Sequence, residues 1–167
     1  VIAVIEGYLL FNPVLIMAAL KSAKSAGALI ALDLASFEVV ENSMGILKDI
    51  VKNYVDILIA NEDEAKAYTG SEDESEAVKA LSKHVSIGVL KLGERGSCIS
   101  ADGKIVMVKP ETGLDVVDTT GAGDLWAAGF LFGLANGFFI EKSGEIASAC
   151  GYEVCRVIGA QIPDDGW

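Results

Sequence analysis

Short apolar runs alternate along this chain with longer stretches whose apolar positions recur every three or four residues. Val1-Ile-Ala-Val-Ile5, Ala28-Leu-Ile-Ala-Leu-Asp33, Val55-Asp-Ile-Leu-Ile-Ala60 and Ser86–Leu92 have the length and aliphatic content of buried strands. Between the first two, Asn12-Pro13 supplies a cap and a first-turn proline for a helix running to about Ala26, ended by Gly27. Ser43 is read as the start of the next helix, to about Tyr54. Asn61 opens a short helix closed by Gly70, and Ser71-Glu-Asp-Glu74 reads as a capping box for a helix to about Lys83. Gly96–Ser100 and Lys104–Lys109 flank Asp102-Gly103, a strong hairpin signal. Two apolar helices, near 122–136 and 140–158, finish the chain.

Strand and helix signals in this alternation predict an α/β fold: a mainly parallel, doubly wound sheet with helices on both faces and one β-hairpin. In such sheets ligands sit beyond the carboxyl ends of the strands. Asp33, Asn61, Leu92-Gly93 and the loop before Gly121 all fall at such positions. With 167 residues and no linker or repeat, residues 1–167 are expected to form a single domain.

Composition narrows the partners. The chain is 51% hydrophobic with mean hydropathy +0.43, yet its longest apolar stretch, Leu125 to Ile140, is broken by Asn136 and glycines. That is short of the ~18–20 residues a membrane span needs, so no membrane partner is expected. Val1–Ile5 lacks a basic n-region and a cleavage site, so no signal peptide is expected. A net charge of −11 and a pI near 4.4 oppose binding to nucleic acid. Cys98, Cys150 and Cys155 lack C-x-x-C spacing and His84 stands alone, which suggests neither a disulfide framework nor zinc and fits a cytoplasmic protein. Cys150 and Cys155 are expected to pack in one helix, and Trp126, Phe130 and Phe132 to belong to the core.

The stretch with the clearest chemistry is Asp118-Thr-Thr-Gly-Ala-Gly-Asp124, running into Leu125-Trp-Ala-Ala-Gly-Phe-Leu-Phe-Gly-Leu134. Small and turn-forming residues stand where a loop must become a helix. The first amides of a helix lack partners and carry positive potential. Gly121, Ala122 and Gly123 would let a phosphate approach those amides, with the Asp124 carboxylate beside it. A bare capping role for Asp124 is the competing reading.

This run resembles the second signature of the PfkB/ribokinase-like kinases of sugars and nucleosides, D-T/S-x-G-A-G-D entering an apolar helix rich in small residues. The match is complete through Asp124. Neither a G-x-x-x-x-G-K-S/T loop nor G-x-G-x-x-G occurs in the chain. The resemblance covers the C-terminal half of the family's enzymes. It implies a ribokinase-like nucleotide-binding domain from the later part of a longer kinase, inactive when isolated and with apolar surface open along its first strand. A homodimer stays open.

The activity implied is transfer of the γ-phosphate of ATP to a hydroxyl of a small sugar or nucleoside, with Asp124 as general base and Gly121 to Asp124 as anion hole. Asn61-Glu-Asp-Glu64 resembles the family's N-x-x-E motif, which implies that Asn61 contacts nucleotide phosphates and Glu64 supports Mg²⁺ through water; favourable charge at a helix start is the alternative. Lys91-Leu-Gly-Glu-Arg-Gly96 is similar to the turn lying along the nucleotide, which assigns Lys91, Gly93 and Gly96 to ATP. Ala147-Ser-Ala-Cys-Gly151 resembles the small-residue helix under the adenine, placing Ser148 near the base, although a plain packing helix is equally consistent. Asp118 and Thr120, with the Gly159 region, resemble a loop pair holding a monovalent cation such as K⁺; Asp118 bracing its own turn is the other reading. Asp33-Leu-Ala-Ser-Phe37 lacks the Asp-x-Asn-x-Arg of many sugar kinases, and Gly7-Tyr8, Leu32–Ser36 and Asn61–Ala65 look more like adenosine kinases. A catalytically silent nucleotide-binding or assembly module, half of a split or truncated kinase, is the rival reading.

Overall fold

Six strands form one sheet in the order β1 (Ile2–Glu6), β2 (Leu29–Asp33), β3 (Ile57–Asn61), β4 (Ile87–Lys91), β5 (Ser97–Ala101), β6 (Lys104–Val108). The structure is a computed structural model and describes residues 1–113, 116–162 and 164–166. Strands β1 to β4 are parallel, with Glu6 beside Asp33, Asp33 beside Ile59 and Asn61 beside Lys91. Residues 30–33 and 57–60 are buried at every successive position, as parallel strands covered on both faces require. Crossovers run through α1 (Pro13–Ser25), α2 (Phe37–Tyr54), then α3 (Glu62–Thr69) and α4 (Glu74–Leu81). The chain ends in α5 (Ala122–Ala135) and α6 (Ile140–Val154).

It divides into two compact units, Val1–Lys91 with Cys98–Ile105, and Leu92–Ser97 with Val106–Trp167. In the first, Leu32, Leu58, Ile16, Leu47 and Leu81 are essentially solvent-free. Burying each such side chain stabilises the fold by about 1.5–3 kcal/mol before entropy is counted. Asn12 caps α1 by accepting the Leu15 amide, and Gly27 ends the turn at φ +71°. The hairpin turn forms at Asp102-Gly103 with φ +50° and +74°, both positive as a two-residue type I′ connection demands.

Three helix boundaries and one strand depart from expectation. α2 starts at Phe37, six residues before Ser43, because extended Ser36 turns its hydroxyl to the Val39 amide; Ser43 is a buried position inside the helix. The cap of α4 is Asp73, accepting from the Glu76 amide at 2.8 Å, while Ser71 bonds to Asp73 and Glu76 side by side. α6 stops at Val154 rather than 158, since the Cys155 carbonyl accepts the amides of Val117 and Asp118 instead of continuing the ladder. β1 is not buried as read: Val4 is 56% exposed, for an edge strand has a neighbour on one side alone.

In the second unit α5 and α6 pack closely along small residues. A side chain at Gly133 would run into Ser143, and one at Gly129 into Ala147 and Cys150. Trp126 and Phe130 stack with ring centroids 5.3 Å apart, and both are buried. Phe132 is not core: two residues on from Phe130, it points to the opposite side of the helix and is 58% exposed. Among the described residues, no helix is long and apolar enough to cross a membrane.

Candidate functional site

In the first unit, chemistry gathers at the carboxyl ends of the parallel strands. Asn61 ends β3 and caps α3 in a reciprocal box: its Oδ1 accepts the Glu64 amide at 2.9 Å, and its own amide donates to Glu64 Oε2 at 2.8 Å. Asn61 Nδ2 donates to Glu64 Oε1 at 2.8 Å, so one asparagine occupies both oxygens of the carboxylate. Glu64 is 3% exposed. Burial pushes its pKa from 4.5 to about 7, against the Asn61 amide and the Lys91 ammonium, which favour the charged form; Asp33 and Glu6 add to the rise. Glu62 and Asp63, on the same turn, are exposed.

Lys91 leaves the end of β4 and donates from Nζ to Asp33 Oδ2 at 2.8 Å, a largely buried ion pair that reaches past β3. The other oxygen of Asp33 accepts the amide of Ala35, whose φ of +67° is unusual for a residue with a side chain. Asp33 therefore organises the turn into α2 and the placement of the lysine together. Motif reasoning left Asp33 without a partner. The missing clue was spatial, because 58 residues separate the pair.

In the second unit the D-T-T-G-A-G-D run forms a turn braced from outside. Asp118 Oδ1 accepts the Thr120 amide at 3.0 Å and its hydroxyl at 2.8 Å; Oδ2 accepts the Gly159 amide at 2.9 Å. The Gly159 and Thr120 hydrogen bonds hold the Asp118 carboxyl below the usual range. The bracing of its own turn by Asp118 is present, and the Gly159 amide adds a second anchor from the segment after α6. Gly121 is the N-cap of α5 at φ +78°, and a Cβ there would lie 2.5 Å from that of Ala160. The Ala122 amide is taken by Thr119 and the Leu125 amide by Gly121. Among the described residues, the amides of Gly123 and Asp124 have no hydrogen-bond partner, as a helix start dictates. The Asp124 side chain stands exposed beside them. That is an anion-accepting arrangement with a carboxylate at its edge.

The glycine turn after β4 is closed by the Leu92 amide donating to the Gly96 carbonyl at 2.9 Å. Gly93, at φ +56°, has open space around its α-carbon, whereas a side chain at Gly96 would collide with the Val108 carbonyl. On α6, Ser148 is 7% exposed and its hydroxyl has no partner among the described residues. Its neighbours Ala147, Cys150 and Gly151 pack against α5, Gly151 facing Trp126.

For Mg²⁺, Glu64 and Asp33 are hard oxygen donors of the right kind, but each already spends both oxygens on neighbours, Asn61 for Glu64 and Lys91 with Ala35 for Asp33. Among the described residues no three acidic, histidine or cysteine side chains converge as a direct metal cage. The set fits an ion held through water more than one gripped by protein.

Comparison with known proteins places these features in context. Residues 5–166 match the pfkB family of carbohydrate kinases. An uncharacterized sugar kinase of Archaeoglobus fulgidus is 32% identical over 121 residues, 72% of this chain and 48% of that protein. The adenosine kinase of Schizosaccharomyces pombe is 32% identical over 129 residues, 69% of this chain and 38% of its own length. The crystal structure of adenosine kinase from Sinorhizobium meliloti superposes with a TM-score of 0.89 at 32% identity, over 96% of this chain and 50% of that one. The chain thus spans about half the length, or less, of these relatives. Its fold is ribokinase-like, as expected, and the chain belongs to the pfkB family of carbohydrate kinases.

Proposed function

We propose that this chain carries the phosphoryl-transfer machinery of an ATP-dependent kinase acting on a hydroxyl of a small sugar or nucleoside, with a lean toward nucleosides. The observation that carries the reading is the start of α5. A left-handed Gly121, held by Ala160 and by the Asp118 brace, leaves the Gly123 and Asp124 amides without partners beside an exposed carboxylate. In the reaction the acceptor oxygen attacks the γ-phosphorus, its proton passes to Asp124, and the bond to the bridging oxygen breaks to release ADP. The open amides of Gly123 and Asp124 stabilise charge on the transferring group, while that of Ala122 is spent on the Thr119 carbonyl, so catalysis is mostly positioning and electrostatics.

Asn61 and Lys91 are proposed to face nucleotide phosphates, and Gly93, Gly96 and Ser148 to line the nucleotide. Mg²⁺, which neutralises phosphate charge in such reactions, would be held through water by Glu64. Asp118 and Thr120 keep the loop in shape; a K⁺ role for them rests on the family resemblance. For the substrate lean, the support is the likeness to two adenosine kinases, at 32% identity each.

Asp124→Asn in the intact enzyme tests this. Turnover should fall by roughly 10²–10⁴-fold, the usual worth of a general base. ATP affinity should hardly change, because backbone amides do the anion binding. Near-normal turnover would refute the assignment.

A further inference from the structure

On this acidic chain one cleft gathers basic side chains. At the amino ends of β2 to β4 a cleft of about 390 Å³ is lined by Lys24, Lys52, Lys83 and His84, with Asn53 and Ser86 among its other donors. Three of the chain's thirteen basic residues and its single histidine converge there, although the net charge is −11. The acid among its lining residues, Asp56, is already engaged: its Oδ2 accepts the Ile30 amide and the Lys24 ammonium, each at 2.7 Å. Among the described residues, Lys52 and Lys83 have no ion-pair partner, and both are exposed to whatever enters. The lining is thus rich in donors, and its one carboxylate is already paired through Oδ2.

We propose that this cleft binds a small phosphate-bearing molecule. A multiply charged oxyanion matches the exposed Lys52 and Lys83 ammonium groups, with the Ser86 hydroxyl in the same lining. The volume lies within the range of about 300–1,000 Å³ typical of small-molecule sites, so it suits a phosphorylated metabolite better than a bare phosphate ion. Asp56 to Asn61 spans the length of β3, about 17 Å at ~3.3 Å per residue, so the cleft lies at the far pole of the sheet from Asn61 and Lys91. A ligand bound there would leave those residues untouched. It would be a second ligand rather than the substrate of the site at the carboxyl ends of the strands.

Helix electrostatics supply a competing account. Lys24 and Lys52 lie in the last turns of α1 and α2, where an ammonium offsets the helix's negative end. Lys83 and His84 instead follow α4 in a separate 3₁₀ turn, and dipole compensation does not require the four to share a cleft.

His84 is a built-in reporter, since a chain with one histidine gives one imidazole Hε1 resonance. That resonance is followed by proton NMR at fixed pH and ionic strength while inorganic phosphate, glucose 6-phosphate and, separately, sodium chloride are titrated into the whole chain. The expected result is a saturable shift with the sugar phosphate, a weaker one with phosphate, and none with chloride. Lys52→Gln/Lys83→Gln should raise the midpoint about tenfold, and Lys83→Gln, which sits outside the regular helices, should raise it alone. Equal shifts with chloride, or a midpoint unmoved in both variants, would overturn the proposal. So would Lys52→Gln lowering the melting temperature without changing the midpoint, the signature of dipole compensation. None of these readouts depends on turnover.

Discussion

Glu64→Gln should make the protein's stability less sensitive to pH, by an amount the geometry sets. In the folded chain burial holds this carboxyl near pKa 7, against 4.5 when solvated. The folded state therefore keeps a proton that the unfolded chain has lost, and this residue's contribution falls as pH rises through that window. Between about pH 5 and pH 8 the wild type should lose about 2–3 kcal/mol through Glu64 alone. Glutamine is neutral throughout and retains one acceptor oxygen for Asn61, giving up the other hydrogen bond at a pH-independent cost of about 1 kcal/mol. The variant should therefore be the less stable protein at the acid end and match or exceed the wild type at the alkaline end. Urea unfolding of both at the two pH values measures the gap, and all other titrating groups cancel in the comparison. A gap that stays constant within about 0.5 kcal/mol would refute the reasoning. Mg²⁺ should then stabilise wild type more than the variant above pH 7, and the intact variant should need more Mg²⁺ for half-maximal rate.

Removing one member of the Asp33–Lys91 pair leaves a charge in a largely buried place: Asp33→Ala should destabilise by about 3–5 kcal/mol, and Asp33→Ala/Lys91→Met by clearly less, both by urea unfolding. A single-variant loss under about 1 kcal/mol would mean the pair is solvated. Gly121→Ala should lower the melting temperature and weaken ATP binding more than Gly123→Ala, because φ +78° and the Ala160 contact penalise any side chain at 121, whereas 123 has an ordinary helical backbone. Equal effects would place the strain elsewhere. Gly96→Ala should destabilise through the Val108 carbonyl even without nucleotide; a variant that loses ATP affinity but no stability would restore a pure binding role.

Local signals explain what was legible. Asp102-Gly103 encodes its own turn, Asn12-Pro13 its own helix start, and Gly121–Asp124 its own loop-to-helix junction, each within a few residues. Ser36 and Ser43 are equally good caps in the sequence, and the choice depends on the extended backbone at 36, which the end of β2 imposes. Asn61 to Glu64 reads as a motif for metal or for a cap, and the structure displays the cap in full. Gly96 is read from sequence as a nucleotide contact, but a packing demand on it was not legible: the Val108 carbonyl, twelve residues on and invisible to a linear pattern, leaves no room for a side chain there. Asp33 was placed at a strand's carboxyl end, but its pairing with Lys91 was invisible for the same reason.

The Asp118–Gly159 hydrogen bond means that the turn before α5 is not self-supporting. It hangs from a segment that follows α6, and the carbonyl closing that helix holds the amides of Val117 and Asp118 from the other side. Anything that shifts residues 155–160 would therefore retune the aim of the Gly123 and Asp124 amides without touching the signature itself. Sequence change beyond Val154 can therefore alter this helix start while leaving the G-A-G-D run, some forty positions upstream, intact.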